Sequence, residues 1–139
     1  MRGRWGWPLV LLAAVVLGLV AGRMDRPGGD RCDRCGAPSA TIGRVRFELP
    51  GGEVRVFCSI PCARAAPRPP GTRVLVTDEA TGDEVDADAA FYVESPVVSV
   101  AHNRTRIHAF ASPADARAHI REHGGRWVPN PFRGGHGER

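Results

Sequence analysis

The stretch Cys32-Asp33-Arg34-Cys35-Gly36, two alternating runs, and then Phe57-Cys58-Ser59-Ile60-Pro61-Cys62 hold all four cysteines of the chain. The spacing is C-x2-C, 22 residues, and C-x3-C. A C-x2-C turn can set two thiolates on one ion, and a spacer of hairpin length returns a second pair to the first. A tetrahedral four-thiolate site needs that arrangement. The second pair falls at an expected helix start, where backbone N–H groups and the helix dipole favour thiolate over thiol. Cys32, Cys35, Cys58 and Cys62 are therefore the candidate metal ligands. Two disulfides in an exported protein and a catalytic C-x2-C redox pair are the competing readings. The redox pair lacks its usual βαβ context.

Between the cysteine pairs, residues 41–49 and 53–57 alternate apolar with polar side chains around Pro50-Gly51-Gly52, which predicts a β-hairpin. Ser59 can cap a short helix through Ala66 with Pro61 in its first turn, and residues 73–77 read as the next strand. The order β-β-α-β then recurs. Residues 89–100 and 105–110 read as strands. Ser112 caps a helix with Pro113 at its first position and Asp115 at its third, running to His123 and stopping at Gly124-Gly125. Residues 126–128 form the last strand. The recurrence is also one of sequence. Phe57-Cys-Ser-Ile-Pro-Cys-Ala-Arg-Ala65 aligns with Phe110-Ala-Ser-Pro-Ala-Asp-Ala-Arg-Ala118, where Ala111 and Asp115 replace Cys58 and Cys62.

At the N-terminus, Arg2 and Arg4 precede an uncharged run of 18 residues, 5–22, which reaches the lower limit for a spanning helix. Trp5 and Trp7 suit interfacial anchors, and the leading arginines favour a cytoplasmic residue 1–4 segment. Leu19-Val20-Ala21-Gly22 has the form of a lipobox, but Arg23 stands where an acylated cysteine is required, so a lipid anchor is excluded. The expectation is a single-pass protein of a bacterial inner membrane with its C-terminal part in the periplasm, a cleaved signal being the competing reading of the same segment. The fold class is α+β: a transmembrane signal anchor (5–22), a linker (23–30) and two small tandem ββαβ units. The first unit (31–78) carries the four-Cys site, the second spans 79–129, and a flexible Gly-rich tail covers 130–139.

The formal charge of +4 comes entirely from arginine, since the chain has no lysine. With abundant Ala, Gly and Pro, this reads as GC-rich coding bias rather than as a nucleic-acid footprint. An anchor and sparse aromatics argue further against a nucleic-acid partner. His102 and His108 could face a metal from the second unit, and His119 and His123 stand at i, i+4 on one helix face. Solvated positions explain the last two as well, and His136 lies in the tail. Asp78, Asp83, Asp86 and Asp88 form an acidic stretch with no paired base or nucleophile, so no enzyme is expected. A homodimer around the ion is open.

Cys32-x-x-Cys35-Gly36 with Phe57-Cys58-Ser59 and Cys62-Ala63 resembles a TRASH-type treble clef. Residues 32–128 resemble the NosL family of nitrous oxide reductase accessory proteins through Val74-Leu-Val-Thr-Asp78, Val85-Asp-Ala87, Ala90-Phe-Tyr-Val93, Ala109-Phe-Ala-Ser112, Asp115-Ala116 and His123-Gly-Gly125. The resemblance implies two tandem ββαβ units in an exported, membrane-tethered copper(I) chaperone. Such a protein supplies the copper-sulfide centre of nitrous oxide reductase, with that enzyme or its membrane assembly machinery as partner. Family members commonly continue C-G-M where this chain has Cys35-Gly36-Ala37, and carry a methionine in the loop at the position of His102. The family site therefore maps onto Cys35 and His102. Four thiolates, or three with one imidazole, suit zinc as well as copper(I).

Overall fold

The computed structural model describes residues 29–134. The cytoplasmic segment, the anchor at 5–22, most of the linker and His136 lie outside the described residues. Among the described residues, no helix is long and apolar enough to cross a membrane.

β1 (Val45–Glu48) and β2 (Val54–Phe57) form the expected hairpin, with Gly52 at a φ of 84° in its turn. α1 (Ile60–Arg64) starts at Ser59, whose hydroxyl oxygen accepts from Cys62 N, and Pro61 occupies its first turn. β3 (Arg73–Thr77) returns antiparallel on the other side of β1. β4 (Glu84–Asp86) adds to β3, so the first sheet is ordered β2-β1-β3-β4 and extends beyond Asp78, where the sequence reading closes the first unit. Acidic residues are poor strand formers, but here two of them meet arginines of the same sheet, on β1 and β3. Arg46 Nε lies 2.9 Å from Glu84 Oε1, and Arg73 Nε lies 3.3 Å from Asp86 Oδ2.

β5 (Phe91–Glu94), β6 (Ile107–Phe110), α2 (Pro113–His123) and β7 (Arg126–Val128) repeat the plan in a sheet ordered β6-β5-β7. In both units the first strand is central and the helix links the second strand to the third. The aligned residues do the same jobs. Phe57 and Phe110 end the second strands, and Ser59 and Ser112 cap the helices. Ala63 and Ala116 are both buried. At the end of α2, Gly125 sits at a φ of 125°, where a Cβ would lie 2.4 Å from Glu94 O, so only glycine closes that turn.

Two expectations are corrected. The strand read over 89–100 ends at Glu94, because Pro96 has no N–H and the Ser95 hydroxyl accepts from Val97 N at 3.2 Å. The chain instead makes a loop with a 3-10 turn at Ala101–Asn103 before bridging Val100 to Thr105. The start of the expected tail is fastened rather than free. Phe132 is buried, Asn130 Nδ2 donates to Ala87 O at 2.9 Å, and Arg133 pairs with Asp88 at 2.9 Å.

The two units share one core. Val45, Phe47, Phe57, Val74 and Val76 of the first sheet pack in one cluster with Tyr92 and Ala109 of the second, and Cys32, Cys58 and Cys62 border the same cluster. α2 covers the opposite face of the second sheet through Ala116 and Ile120 on Val93 and Phe110.

Candidate metal centre

The first cysteine pair is held by a knuckle. Gly36 N donates to Cys32 O at 2.8 Å, with Gly36 at a φ of 71°, and Cys32 N donates to Ala37 O at 2.8 Å. Asp33 lashes the knuckle to β2: its N donates to Val56 O at 2.8 Å, and its carboxylate accepts from Val56 N. Cys58 follows the end of β2, and Cys62 lies one turn later in α1. The knuckle, hairpin and helix start thus bring all four sulfurs within 4.8 Å of one another.

Cys58 is the centre of the cluster. Its Sγ lies 3.6 Å from Cys35 Sγ and 3.6 Å from Cys62 Sγ, and Cys62 and Cys35 are 3.9 Å apart. Four sulfurs at zinc–thiolate bond length around one ion would be about 3.8 Å apart. All four cysteines are free; Cys32, Cys58 and Cys62 are buried and Cys35 is exposed. This answers the disulfide reading, because sulfurs at these separations are not bonded. His102, at the tip of the loop from the second unit, brings its Nε2 to 3.2 Å from Cys58 Sγ on the exposed side.

Burial pushes the Cys32 thiol up, but backbone N–H groups of Cys35, Cys58 and Arg34 and the Cys35 thiol outweigh it and bring it down to about 7. Cys58 moves the other way: burial raises it first, and hydrogen bonding with the thiols of Cys35, Cys62 and Cys32 adds to this. The free protein therefore carries a proton on Cys58 at neutral pH, and an ion must displace it. Metal affinity is expected to rise at least tenfold per pH unit above about pH 7. Below that it should rise more steeply, as Cys32 also has a proton to lose. Competition titrations at several pH values check this, and an affinity indifferent to pH would contradict the proton assignment.

The other candidates do not join this cluster. His108 is buried, with Nδ1 2.8 Å from Glu79 Oε2 and Nε2 2.9 Å from Ser95 Oγ. His119 Nε2 reaches the same hydroxyl at 3.0 Å, and burial, then the charges of His108 and His123, lower its pKa. The order carboxylate, imidazole, hydroxyl resembles a nucleophile relay. Ser95 is buried, however, and its oxygen already meets His108, His119 and Val97 N, so a substrate has no approach to it. The acidic stretch is structural. Asp78 is buried and accepts from Ala80 N and Thr81 Oγ1, while Asp86 and Asp88 meet Arg73 and Arg133.

Sequence reasoning missed two features. The first is the Glu79–His108–Ser95–His119 network, whose members carry no common motif. The second is Asn103, whose amide donates to Ser59 Oγ across the two units. Its adjacency to His102 is a signal that the sequence carries.

No protein-family model matches the sequence, and no curated protein matches it. Among solved structures, the copper chaperone NosL from Shewanella denitrificans is similar, with a TM-score of 0.58 and 22% identity over 70% of this chain and 84% of that one. The two proteins share a fold.

Proposed function

We propose that this chain is a periplasmic metal-binding accessory protein, tethered to the inner membrane by residues 5–22. It carries copper(I) on Cys32, Cys35, Cys58, Cys62 and His102 and delivers it to nitrous oxide reductase or that enzyme's assembly machinery. The observation that carries this reading is the asymmetry of the donor cluster. Three sulfurs are buried, whereas Cys35 and the His102 imidazole stand at the solvent edge. A structural zinc site closes on four inward ligands and needs no fifth donor. Thiolates select copper(I), and imidazole also suits copper. The buried sulfurs can hold the ion while Cys35 and His102 are exchanged for ligands of an acceptor, without redox chemistry. The acceptor follows from the resemblance of the sequence to the NosL family. The shared fold with a protein described as a copper chaperone is in keeping with it.

A structural zinc module that docks a partner without transferring metal is the second reading. Sulfur separations of 3.6–3.9 Å, close to a tetrahedral edge, favour it. Anaerobic titration of the full chain in detergent with copper(I) and zinc, each against competing chelators, separates the two. The expected result is one copper(I) per chain, rather than one per two chains. It should be released to a chelator within minutes, and His102→Ala should weaken it about tenfold, one ligand's modest share. A chain that purifies with one zinc, indifferent to His102→Ala and unfolded by zinc removal, would replace the chaperone reading with the zinc module.

A further inference from the structure

We propose that Asn103 is a positioning residue of the metal site, locking the His102 loop of the second unit onto Cys58–Ser59 of the first. The proposal rests on the copper(I) reading above. His102 is carried by the 3-10 turn Ala101–Asn103, whose N-cap Val100 makes no side-chain cap hydrogen bond. The two ends of the Asn103 amide have separate tasks. Oδ1 accepts from Thr105 N at 3.3 Å and from Thr105 Oγ1, which closes the loop on itself. Nδ2 donates to Ser59 Oγ in the first unit and lies 4.0 Å from Cys58 Sγ. Arg104 follows at a φ of 53°, a conformation that non-glycine residues adopt rarely and that the closed loop sustains.

The donor half also reaches the cap of α1. Ser59 is wholly buried, and its oxygen accepts from Cys62 N at 3.3 Å as the cap of α1 as well as from Asn103. Cys58 Sγ, 3.8 Å away, points its thiol at the same oxygen. Asn103 thus holds His102 beside the central sulfur and ties its loop to the Ser59 oxygen that Cys62 N and the Cys58 thiol also meet.

Asn103→Asp separates this role from simple loop closure. A carboxylate keeps the oxygens that Thr105 needs and removes the N–H that reaches Ser59. In the full chain in detergent, Asn103→Asp is expected to weaken copper(I) binding about tenfold, as His102→Ala does. The double variant should fall well short of the hundredfold product, because both changes remove the same imidazole. X-ray absorption at the copper edge should lose its nitrogen neighbour in Asn103→Asp. If the metal-free Asp variant fails to fold, Asn103→Ala is judged by the same coupling and the same spectrum. Affinity within twofold of the unchanged chain, with the nitrogen neighbour retained, while His102→Ala still weakens binding, would overturn the role of Asn103 alone. If His102→Ala has no effect either, the histidine-assisted copper site fails first and this proposal falls with it.

Discussion

A chain carrying Cys58→Ala is expected to bind copper(I) and zinc several hundredfold more weakly than the unchanged protein. Cys58 lies 3.6 Å from two other sulfurs and 3.2 Å from the His102 imidazole. Any ion held by several members of the cluster therefore includes Cys58 or passes beside it. Thiolate sites in small domains are worth about 10–16 kcal/mol across four ligands. The loss of the central ligand thus costs about 3–4 kcal/mol, or two to three powers of ten. Cys35→Ala is expected to cost less, since it leaves three buried sulfurs and His102 in place. Competition against a chromophoric chelator measures both variants. An affinity for Cys58→Ala within tenfold of the unchanged chain would mean that the ion sits elsewhere.

The cysteine cluster was legible because every step that builds it is local. A C-x2-C-Gly turn makes a knuckle, Pro50-Gly51-Gly52 makes a hairpin of the spacer, and Ser59 starts a helix one turn before Cys62. The second unit was legible for a similar reason, since Ser112-Pro113 and Gly124-Gly125 mark both ends of α2. What local patterns could not supply is pairing decided at a distance. β4 forms from residues that favour loops because Arg73 on the adjacent β3 and Arg46 on β1 beyond it meet its carboxylates. The strand after Ala89 stops at Ser95-Pro96, although the apolar run continues through Val97, Val98 and Val100. That stop creates the loop bearing His102. No spacing rule links position 102 to position 58, so His102 entered the site through family resemblance. Asn103, which resemblance did not mark, was overlooked.

The doubled plan also gives the site its asymmetry. In the first unit, the positions flanking the helix cap are Cys58 and Cys62; in the second, Ala111 and Asp115 occupy them. The second copy therefore has no thiolate pair of its own. It contributes the loop between its first two strands, and through it an imidazole and an amide at the edge of the first copy's sulfurs. Because both units share a core, that loop is presented from a fixed base. The Glu79–His108 contact between the β3–β4 turn and β6 ties the base further.

Phe57→Ala is expected to remove about 3–5 kcal/mol of folding stability from the metal-free chain, the usual cost of emptying a buried phenylalanine site. Phe57 is wholly buried, its ring centroid lies 4.7 Å from that of Phe47, and its backbone pairs with Val45 where β2 ends next to Cys58. Domains of this size hold about 5–15 kcal/mol in total, so the variant should sit near the margin of folding. It is also the residue before Cys58, and the cavity would loosen the strand end that positions the central ligand. A bound ion restores part of the loss by mass action, about 2.7 kcal/mol when present at a hundred times its dissociation constant. Urea unfolding of residues 23–139, with and without metal, reads both effects. Phe91→Ala serves as the control, because that ring is 37% exposed against Trp127 at the sheet edge and should cost far less. Equal losses for the two variants would show that the Phe47–Phe57 pair is not the packed base on which the cysteine cluster stands.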